Sequence, residues 1–226
     1  MERTESNRVR KVDEALIRLN FGPMKDSGSN ELPILVFATH NANKALEVQK
    51  MLGDAYRIQT LSDIGCHEEI AETAPDLKGN ALIKAKHVSD AYGLDCFADD
   101  TGLEVDALDG APGVRTARYA GEQADAEANM KKLLGALSGV KLENRSARFR
   151  TVICMVRKGE VKYVEGTCEG RIALSQSGVK GFGYDPVFCP DGESTTFAEM
   201  PALAKNEISH RGKAIRLMVG ELLAKS

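Results

Sequence analysis

The sequence lacks several features that would place it in common classes of protein. Neither charge is in large excess, since 30 Lys and Arg residues stand against 33 Asp and Glu residues, so a basic face for nucleic acid is not expected. The longest apolar stretches, PILVFA and TVICMV, are too short to span a bilayer. The first residues, MERTESNRVRK, lack the apolar core of a signal peptide. We therefore expect a cytoplasmic protein that binds neither nucleic acid nor membranes.

The cysteines lack the spacing of a metal-binding or disulfide motif. They are far apart in the chain and form no CxxC pair (Cys66, Cys96, Cys154, Cys168 and Cys189). Most of them lie in apolar, strand-like segments, where a small buried thiol is common. This pattern disfavours both a zinc site and a disulfide framework, and it is typical of a reducing compartment.

The order of apolar and polar segments predicts an α/β fold. Residues 1–31 have linker composition around a short possible helix, VDEALIRL, and we expect them to form a flexible extension before a domain over residues 32–226. Strand-like and helix-like runs then alternate as LPILVFAT, NKALEVQKMLG, YRIQTL, NALIKAKHVSDAYG and DCFA. Later, ARFRTVICMV and VKYVEGTCEGRIAL read as a hairpin across RKGE. Helices that alternate with strands before a hairpin indicate a mixed β-sheet.

Polar residues follow the first predicted strand in the segment ATHNANK, residues 38–44. A helix is predicted to begin within a few residues, and the N–H groups at a helix N-terminus favour an anion. Lys44 would add a positive charge, while Thr39, Asn41 and Asn43 would offer hydrogen bonds. No Walker pattern is present. A plain Asn-rich turn with a solvated lysine is the alternative.

Two adjacent acids, Asp99 and Asp100, follow the apolar run DCFA, where we predict that a strand ends. Adjacent residues of an extended chain point to opposite sides, so the two carboxylates need not crowd each other. Either could hold Mg²⁺, which prefers oxygen ligands and would relieve their repulsion. Glu72 in AETAPD is a third acidic candidate. A solvated turn is the alternative.

A third polar segment, SHRG at residues 209–212, precedes the last predicted helix, with Ser209 as its expected N-cap. Cationic residues are unfavourable in a first helical turn, at a cost of about 0.3–1 kcal/mol each. A bound anion would reverse that effect for His210 and Arg211, whereas pairing of Arg211 with Glu207 is the alternative. The three segments together have the residue types for a metal-assisted reaction on a polyphosphate.

The chain resembles the inosine triphosphate pyrophosphatase family, also called the Ham1-like family. The matching stretches are FATHNANK, ETAPDLKGNALIKAKH, FADDTGLEVDALDGAPGVRTARYAGE, GFGYDPVF and LAKNEISHRGKA, which span residues 34 to about 220. The resemblance implies an elongated mixed α/β fold with two lobes around a substrate cleft, usually in a homodimer. It also implies Mg²⁺-dependent hydrolysis of ITP, dITP and XTP to the monophosphate and pyrophosphate, which clears deaminated purines from the nucleotide pool.

The resemblance further implies site residues. Asp99 and Asp100 would be catalytic, with Asp100 as the general base, and Glu72 would join them as a metal ligand. Phe182 or Tyr184 would stack on the base. Arg211, helped by Lys205 or a protonated His210, would donate to the oxygen at C6 of the base and so select against adenine. The full set of implied substrate contacts is Thr39, His40, Asn41, Ala42, Asn43, Lys44, Thr101, Phe182, Gly183, Tyr184, Asp185, Lys205, His210 and Arg211.

The sequence departs from the family pattern at two positions, and three other functions share part of that pattern. Gly79 stands where relatives often have Glu, and His40 stands where many have Gly.

A receiver-type signalling domain also pairs acids to bind Mg²⁺, but such domains are about half this length. An aspartyl-phosphate phosphatase needs Asp-x-Asp, which DDTG lacks. A catalytically silent nucleotide-binding protein is disfavoured by the intact acidic set.

Overall fold

The computed structural model describes residues 32–224, except for the side chain of Asn43. Its helices are α1 (Ala42–Leu52), α2 (Leu77–Tyr92), α3 (Ala126–Ala136), α4 (Ala202–Ile208) and α5 (His210–Leu223). Its strands are β1 (Ile34–Phe37), β2 (Arg57–Thr60), β3 (Cys96–Val105), β4 (Pro112–Gly113), β5 (Ser146–Arg157), β6 (Glu160–Ile172) and β7 (Phe188–Pro190). The extension predicted over residues 1–31, with its possible helix, lies outside the described residues. Within the described range, no helix is both long enough and apolar enough to cross a membrane.

The strands form one mixed sheet, as the order of segments predicts. Their order is β2-β1-β3-β5-β6-β7, and β4 pairs with β3 away from this path. β1 runs parallel to β2 and β3, whereas the pairs from β3 through β7 are antiparallel. The expected hairpin is confirmed, because β5 and β6 pair from Arg157↔Glu160 to Ser146↔Arg171.

The acidic pair does not end a strand, and that prediction is wrong. β3 continues through both acids, because β5 pairs with it along its whole length, including Asp99↔Ile153 and Asp100↔Val152. The strand that ends here is β1, whose last partner on β3 is Phe97. The two acids therefore lie in the middle of β3, just beyond the end of the neighbouring parallel strand.

The core divides into three clusters, and the acidic pair lies between them. Phe97 packs with α1 and α5 on one face of the sheet, and Ala98 packs with α2 on the other face. The third cluster surrounds Leu103 and Phe149 and includes residues of α3 and β7. β3, β5 and β6 each contribute residues to all three clusters. This arrangement confirms the mixed α/β fold with flanking helices.

Local signals place the helix ends correctly. Gly93 follows α2 in the left-handed conformation (φ 66°), and the Ser209 side chain accepts a hydrogen bond from the backbone N–H of Gly212 at the start of α5. Two short elements were not predicted from the sequence, the two-residue β4 and the seven-residue α4. Neither is long enough to show a hydrophobic period, and Leu203 of α4 is exposed.

Candidate active site

The segment between β1 and α1 has the hydrogen bonds of a helix start. The backbone N–H of Asn41 donates to Thr39 Oγ1 (3.1 Å), and the backbone N–H of Lys44 donates to Asn41 Oδ1 (3.3 Å). The first turn of α1 contains no acidic residue. Because N–H groups at a helix N-terminus carry partial positive charge, this turn favours a negatively charged ligand.

The side chain of Asp99 lies on the α1–α5 face of β3 among cations. Lys44 Nζ is 2.8 Å from Asp99 Oδ1, and Arg211 Nε is 3.4 Å from Asp99 Oδ2. Arg211 also reaches Glu47, with 3.0 Å between Nη1 and Oε2. The anionic partners of Arg211 are thus Asp99 and Glu47, and the alternative of a pair with Glu207 is not the one adopted.

Asp99 is ionised despite its burial. Burial opposes the charge, but Lys44 and Arg211 outweigh it, so the pKa of Asp99 is well below its usual range. Burial lowers the pKa of Lys44, and repulsion from Arg211 and Lys84 acts in the same direction. Positive charge is therefore crowded on this side of the strand, which suits a polyanion.

The side chain of Asp100 lies on the opposite face, against α2, as alternation along a strand predicts. Lys84 Nζ is 2.6 Å from Glu72 Oε1 and 3.2 Å from Asp100 Oδ1. Arg118 Nη1 is 3.2 Å from the second oxygen of Glu72. The other oxygen of Asp100, Oδ2, is buried and has no hydrogen-bond partner among the described residues.

The pKa values of the two carboxylates on this face are shifted in opposite directions. Burial raises the pKa of Asp100, and the attraction of Lys84 does not fully offset it. Burial also opposes ionisation of Glu72, but Lys84 and Arg118 together hold the pKa of Glu72 below its usual value. Glu72 is therefore a stable anion, whereas Asp100 holds its proton more tightly than an ordinary aspartate.

The donor set on the Asp100 face fits a magnesium ion. The Lys84 ammonium group donates to both Glu72 and Asp100, which shows that the two carboxylates are close together. The unpartnered oxygen of Asp100 is the kind of hard ligand that Mg²⁺ prefers. Asp99 is not brought to this set, because its two oxygens face Lys44 and Arg211 across the strand. The assignment of metal ligands remains a prediction.

Aromatic and charged residues from the loop before β7 and from α4 form the other end of the site. Lys205 Nζ is 2.7 Å from Asp185 Oδ2 and 5.2 Å from the centre of the Phe182 ring. Arg211 Cζ is 5.4 Å from the same ring. Phe182 is 42% exposed, whereas Tyr184 is buried and donates its hydroxyl to the Thr116 carbonyl. Of the two rings proposed for stacking, Phe182 is therefore the accessible one.

His210 is a neutral core residue rather than a cation. Its ring stacks on Phe149 with 4.5 Å between centroids, and it is 4% exposed. Burial, followed by repulsion from Arg211 and Lys205, lowers the pKa of His210 well below its usual value. This environment disfavours a protonated His210, because its buried Nδ1 has no hydrogen-bond partner among the described residues.

Three further residues named in the sequence analysis have defined contacts. Thr101 lies on β3 next to the acids, with its hydroxyl 2.8 Å from that of Thr151. His40 Nε2 donates to the backbone carbonyl of Glu68 (2.9 Å). Gly79 lies in the first turn of α2, where an added Cβ would be 2.5 Å from Ala74 Cβ, so a larger residue would require the chain to shift.

Three charged residues of the site were missed by sequence reasoning, namely Glu47, Lys84 and Arg118. Lys84 had a detectable signal, because it shares the apolar stripe of α2 with Ala81, Ala85 and Val88. A lysine in such a stripe needs a buried anionic partner. Glu47 and Arg118 gave no comparable signal, because their partners, Arg211 and Glu72, are distant in the sequence and are brought close only when the chain folds.

Known proteins resemble this chain over most of its length. Residues 35–221 match the model of the Ham1 family. A Flavobacterium johnsoniae protein named dITP/XTP pyrophosphatase is 52% identical over 190 residues, which cover 84% of this chain and 98% of that protein. A Porphyromonas gingivalis protein of the same name is 54% identical and covers 80% of this chain and 93% of its own length. The solved structure of the Staphylococcus aureus Ham1 protein superposes with a TM-score of 0.79 at 36% identity, covering 85% of this chain and all of that one.

Proposed function

The chain belongs to the Ham1 family, and we propose on this basis that it hydrolyses non-canonical purine nucleoside triphosphates (ITP, dITP and XTP) to the monophosphate and pyrophosphate. The observation that carries this proposal is the division of charge across β3. Cations gather around Asp99 on one face, and a carboxylate with an unpartnered oxygen lies at the next residue on the other face. A polyphosphate and a water molecule can thus be held beside one strand.

The cationic face would bind the phosphates. The N-terminal turn of α1 offers backbone N–H groups, and Lys44 and Arg211 offer charged donors. Both cations are paired with Asp99 in this structure, so an incoming phosphate would share or replace that partner. Hydrogen bonds to charged groups contribute about 1.5–3 kcal/mol each.

The carboxylate face would hold Mg²⁺ and activate water. Glu72 and Asp100 would be the ligands, and bound Mg²⁺ would neutralise charge on the phosphates and polarise the reacting phosphoryl group. Asp100 would accept a proton as the water oxygen attacks phosphorus, and the bond to the departing pyrophosphate would break. The unpartnered oxygen of Asp100 suits this role, because a general base needs a free oxygen within hydrogen-bond reach of the water.

The base would lie against Phe182, next to Lys205 and Arg211. Hypoxanthine and xanthine present an acceptor oxygen at C6, whereas adenine presents an amino donor there. Neither an arginine nor a protonated lysine can accept a hydrogen bond, so an adenine amino group would leave donors unpaired. Recognition of this kind supports a preference for ITP and XTP over ATP of about 100-fold or more in kcat/KM.

A nucleotide panel tests the proposal. Pyrophosphate and orthophosphate release would be measured separately for ITP, dITP, XTP, GTP and ATP, with Mg²⁺ and with a chelator. We expect pyrophosphate from the first three nucleotides, only with Mg²⁺. Stepwise release of orthophosphate, or equal rates for ATP and ITP, would contradict the proposal. Autophosphorylation by a small phosphodonor would instead support the receiver-type alternative, which a family match over residues 35–221 disfavours.

The assembly and location belong to the same proposal. We propose that the enzyme works as a homodimer on the cytoplasmic nucleotide pool. Light scattering at the protein concentrations of the assay would test the dimer. We expect the mass of two chains, and the mass of one chain would contradict the proposal.

A further inference from the structure

A second cluster of metal-binding side chains lies away from the Glu72–Asp100 pair. It consists of Cys66, Glu68 and His87, and one ligand atom from each lies within 4.8 Å of the others. The Cys66 sulfur is 3.7 Å from His87 Nε2, and that nitrogen is 2.9 Å from Glu68 Oε1. Two ligands come from the loop after β2 and the third from α2.

We infer that Cys66, Glu68 and His87 form a binding site for a zinc-class transition metal ion. Zinc bonds of about 2.3 Å to sulfur and 2.0–2.2 Å to nitrogen or oxygen place tetrahedral ligands about 3.6 Å apart for S and N, and about 3.4 Å apart for N and O. The sulfur–nitrogen distance already agrees with this value. The nitrogen–oxygen distance is that of a direct hydrogen bond and needs to lengthen by about half an ångström.

The chemistry of the three ligands selects a different ion from the one proposed at Asp100. A thiolate and an imidazole favour zinc, cobalt or copper, whereas magnesium takes oxygen ligands. The thiolate and the carboxylate together balance a charge of +2, and the thiol proton is released to solvent as the metal–sulfur bond forms. Three protein ligands leave a fourth tetrahedral position for water.

The surroundings of the cluster are those of a supported and accessible site. Cys66 is buried, while the Glu68 side chain is 65% exposed and gives a route from solvent. Groups that contact the first ligands commonly hold them in place. On the other side, the Glu68 carbonyl bonds His40, which follows Thr39 in the predicted phosphate segment.

The position of the cluster would let a bound ion link two parts of the chain. An ion bound there would tie the loop after β2 to α2, and this loop continues to Glu72. It would also fix the carbonyl that His40 contacts. The ion would thus act as a clamp between two parts of the chain that each carry candidate site residues, without itself taking part in hydrolysis.

Cobalt spectroscopy provides a direct test. The full-length protein, with a large excess of Mg²⁺ to fill oxygen-ligand sites, would be titrated with Co²⁺ and then with Zn²⁺. We expect a near-ultraviolet thiolate-to-cobalt charge-transfer band that saturates at one equivalent and disappears when Zn²⁺ displaces cobalt. We also expect Zn²⁺ to raise the thermal midpoint of the wild-type protein.

Variants identify the ligands and provide the controls. His87→Gln and Glu68→Gln, both at partly exposed positions, should weaken cobalt binding by about 10- to 100-fold or more. Cys66→Ser should abolish the band, whereas Cys189→Ser, a buried cysteine on β7, should keep it. Magnesium-dependent activity of His87→Gln should be unchanged, so failure of this site and of the proposed function are distinguishable. Absence of the band in the wild type, or an unchanged cobalt affinity in His87→Gln, would overturn the inference.

Discussion

Replacement of Lys84 by Met tests the electrostatics of the carboxylate face. The ammonium group of Lys84 is the contact shared by Glu72 and Asp100, and its side chain is 11% exposed. Burial opposes the charge of Lys84, but Asp100 and Glu72 outweigh it and raise its pKa. Met retains most of the length and volume of the side chain, so the change removes the charge with little loss of packing.

The expected loss of stability at pH 7 without Mg²⁺ is about 3 kcal/mol. Removal of one partner from a buried ion pair typically costs 3–5 kcal/mol, and the lower value applies because Arg118 still pairs with Glu72. The folded-state pKa of Glu72 lies below its unfolded value, so its ion pair stabilises the protein above the unfolded pKa and this contribution is lost as the pH falls through the folded pKa. The difference between variant and wild type should therefore shrink on acidification.

Denaturant unfolding with and without Mg²⁺ measures both effects. Mg²⁺ should stabilise Lys84→Met more than the wild type, because the ion then takes the place of the missing ammonium group; a ligand at 100 times its dissociation constant adds about 2.7 kcal/mol. Lys86→Met is the matched control on the same helix, since its exposed pair with Asp90 is worth at most about 1 kcal/mol. If both variants lose the same amount, or if Mg²⁺ adds equally to variant and wild type, the account of this face is wrong.

Four further predictions follow from the site. Asp100→Asn should reduce kcat by about 10²–10⁴ while ITP still binds, and retention of a tenth of the activity in a single-turnover assay would reject Asp100 as the base. Since burial raises the pKa of Asp100 in the metal-free protein, protons should compete with Mg²⁺ for this carboxylate, so the Mg²⁺ concentration for half-maximal activity should rise as the pH falls, and a requirement independent of pH is the contrary result. Phe182→Ala should raise KM for ITP while Tyr184→Phe should not, and equal effects would remove Phe182 as the stacking residue. A chain beginning at Leu32 should keep the same specific activity, and aggregation or inactivity would place residues 1–31 in the functional unit.

Features set by neighbouring residues could be predicted from the sequence. Ser209 caps α5 and Gly93 ends α2 because each depends on backbone groups within one turn of the helix. The strand end predicted at Asp99 and Asp100 failed for the opposite reason. Whether an extended segment continues depends on its partner, and β5 lies about fifty residues further along the chain.

In the site, too, features set by neighbouring residues were predictable, and features set by residues distant in the sequence were not. The placement of Asp99 and Asp100 on opposite faces follows from strand geometry and was predictable. Their charge states were not, because the low pKa of Asp99 depends on Lys44 and Arg211, which come from two different helices. Cys66 illustrates the limit most clearly, since a search for cysteine spacing cannot detect a cluster completed by a histidine from α2.

The position of the two acids on one continuous strand has a consequence for motion within the protein. Asp99 and Asp100 are neighbours in sequence, so their Cα atoms are separated by one peptide unit of about 3.8 Å, whatever the surrounding helices do. The two carboxylates therefore stay on opposite faces of one strand at a fixed separation. The cations beside Asp99 come from α1 and α5, so their distance to Asp100 depends on how those helices pack against β3.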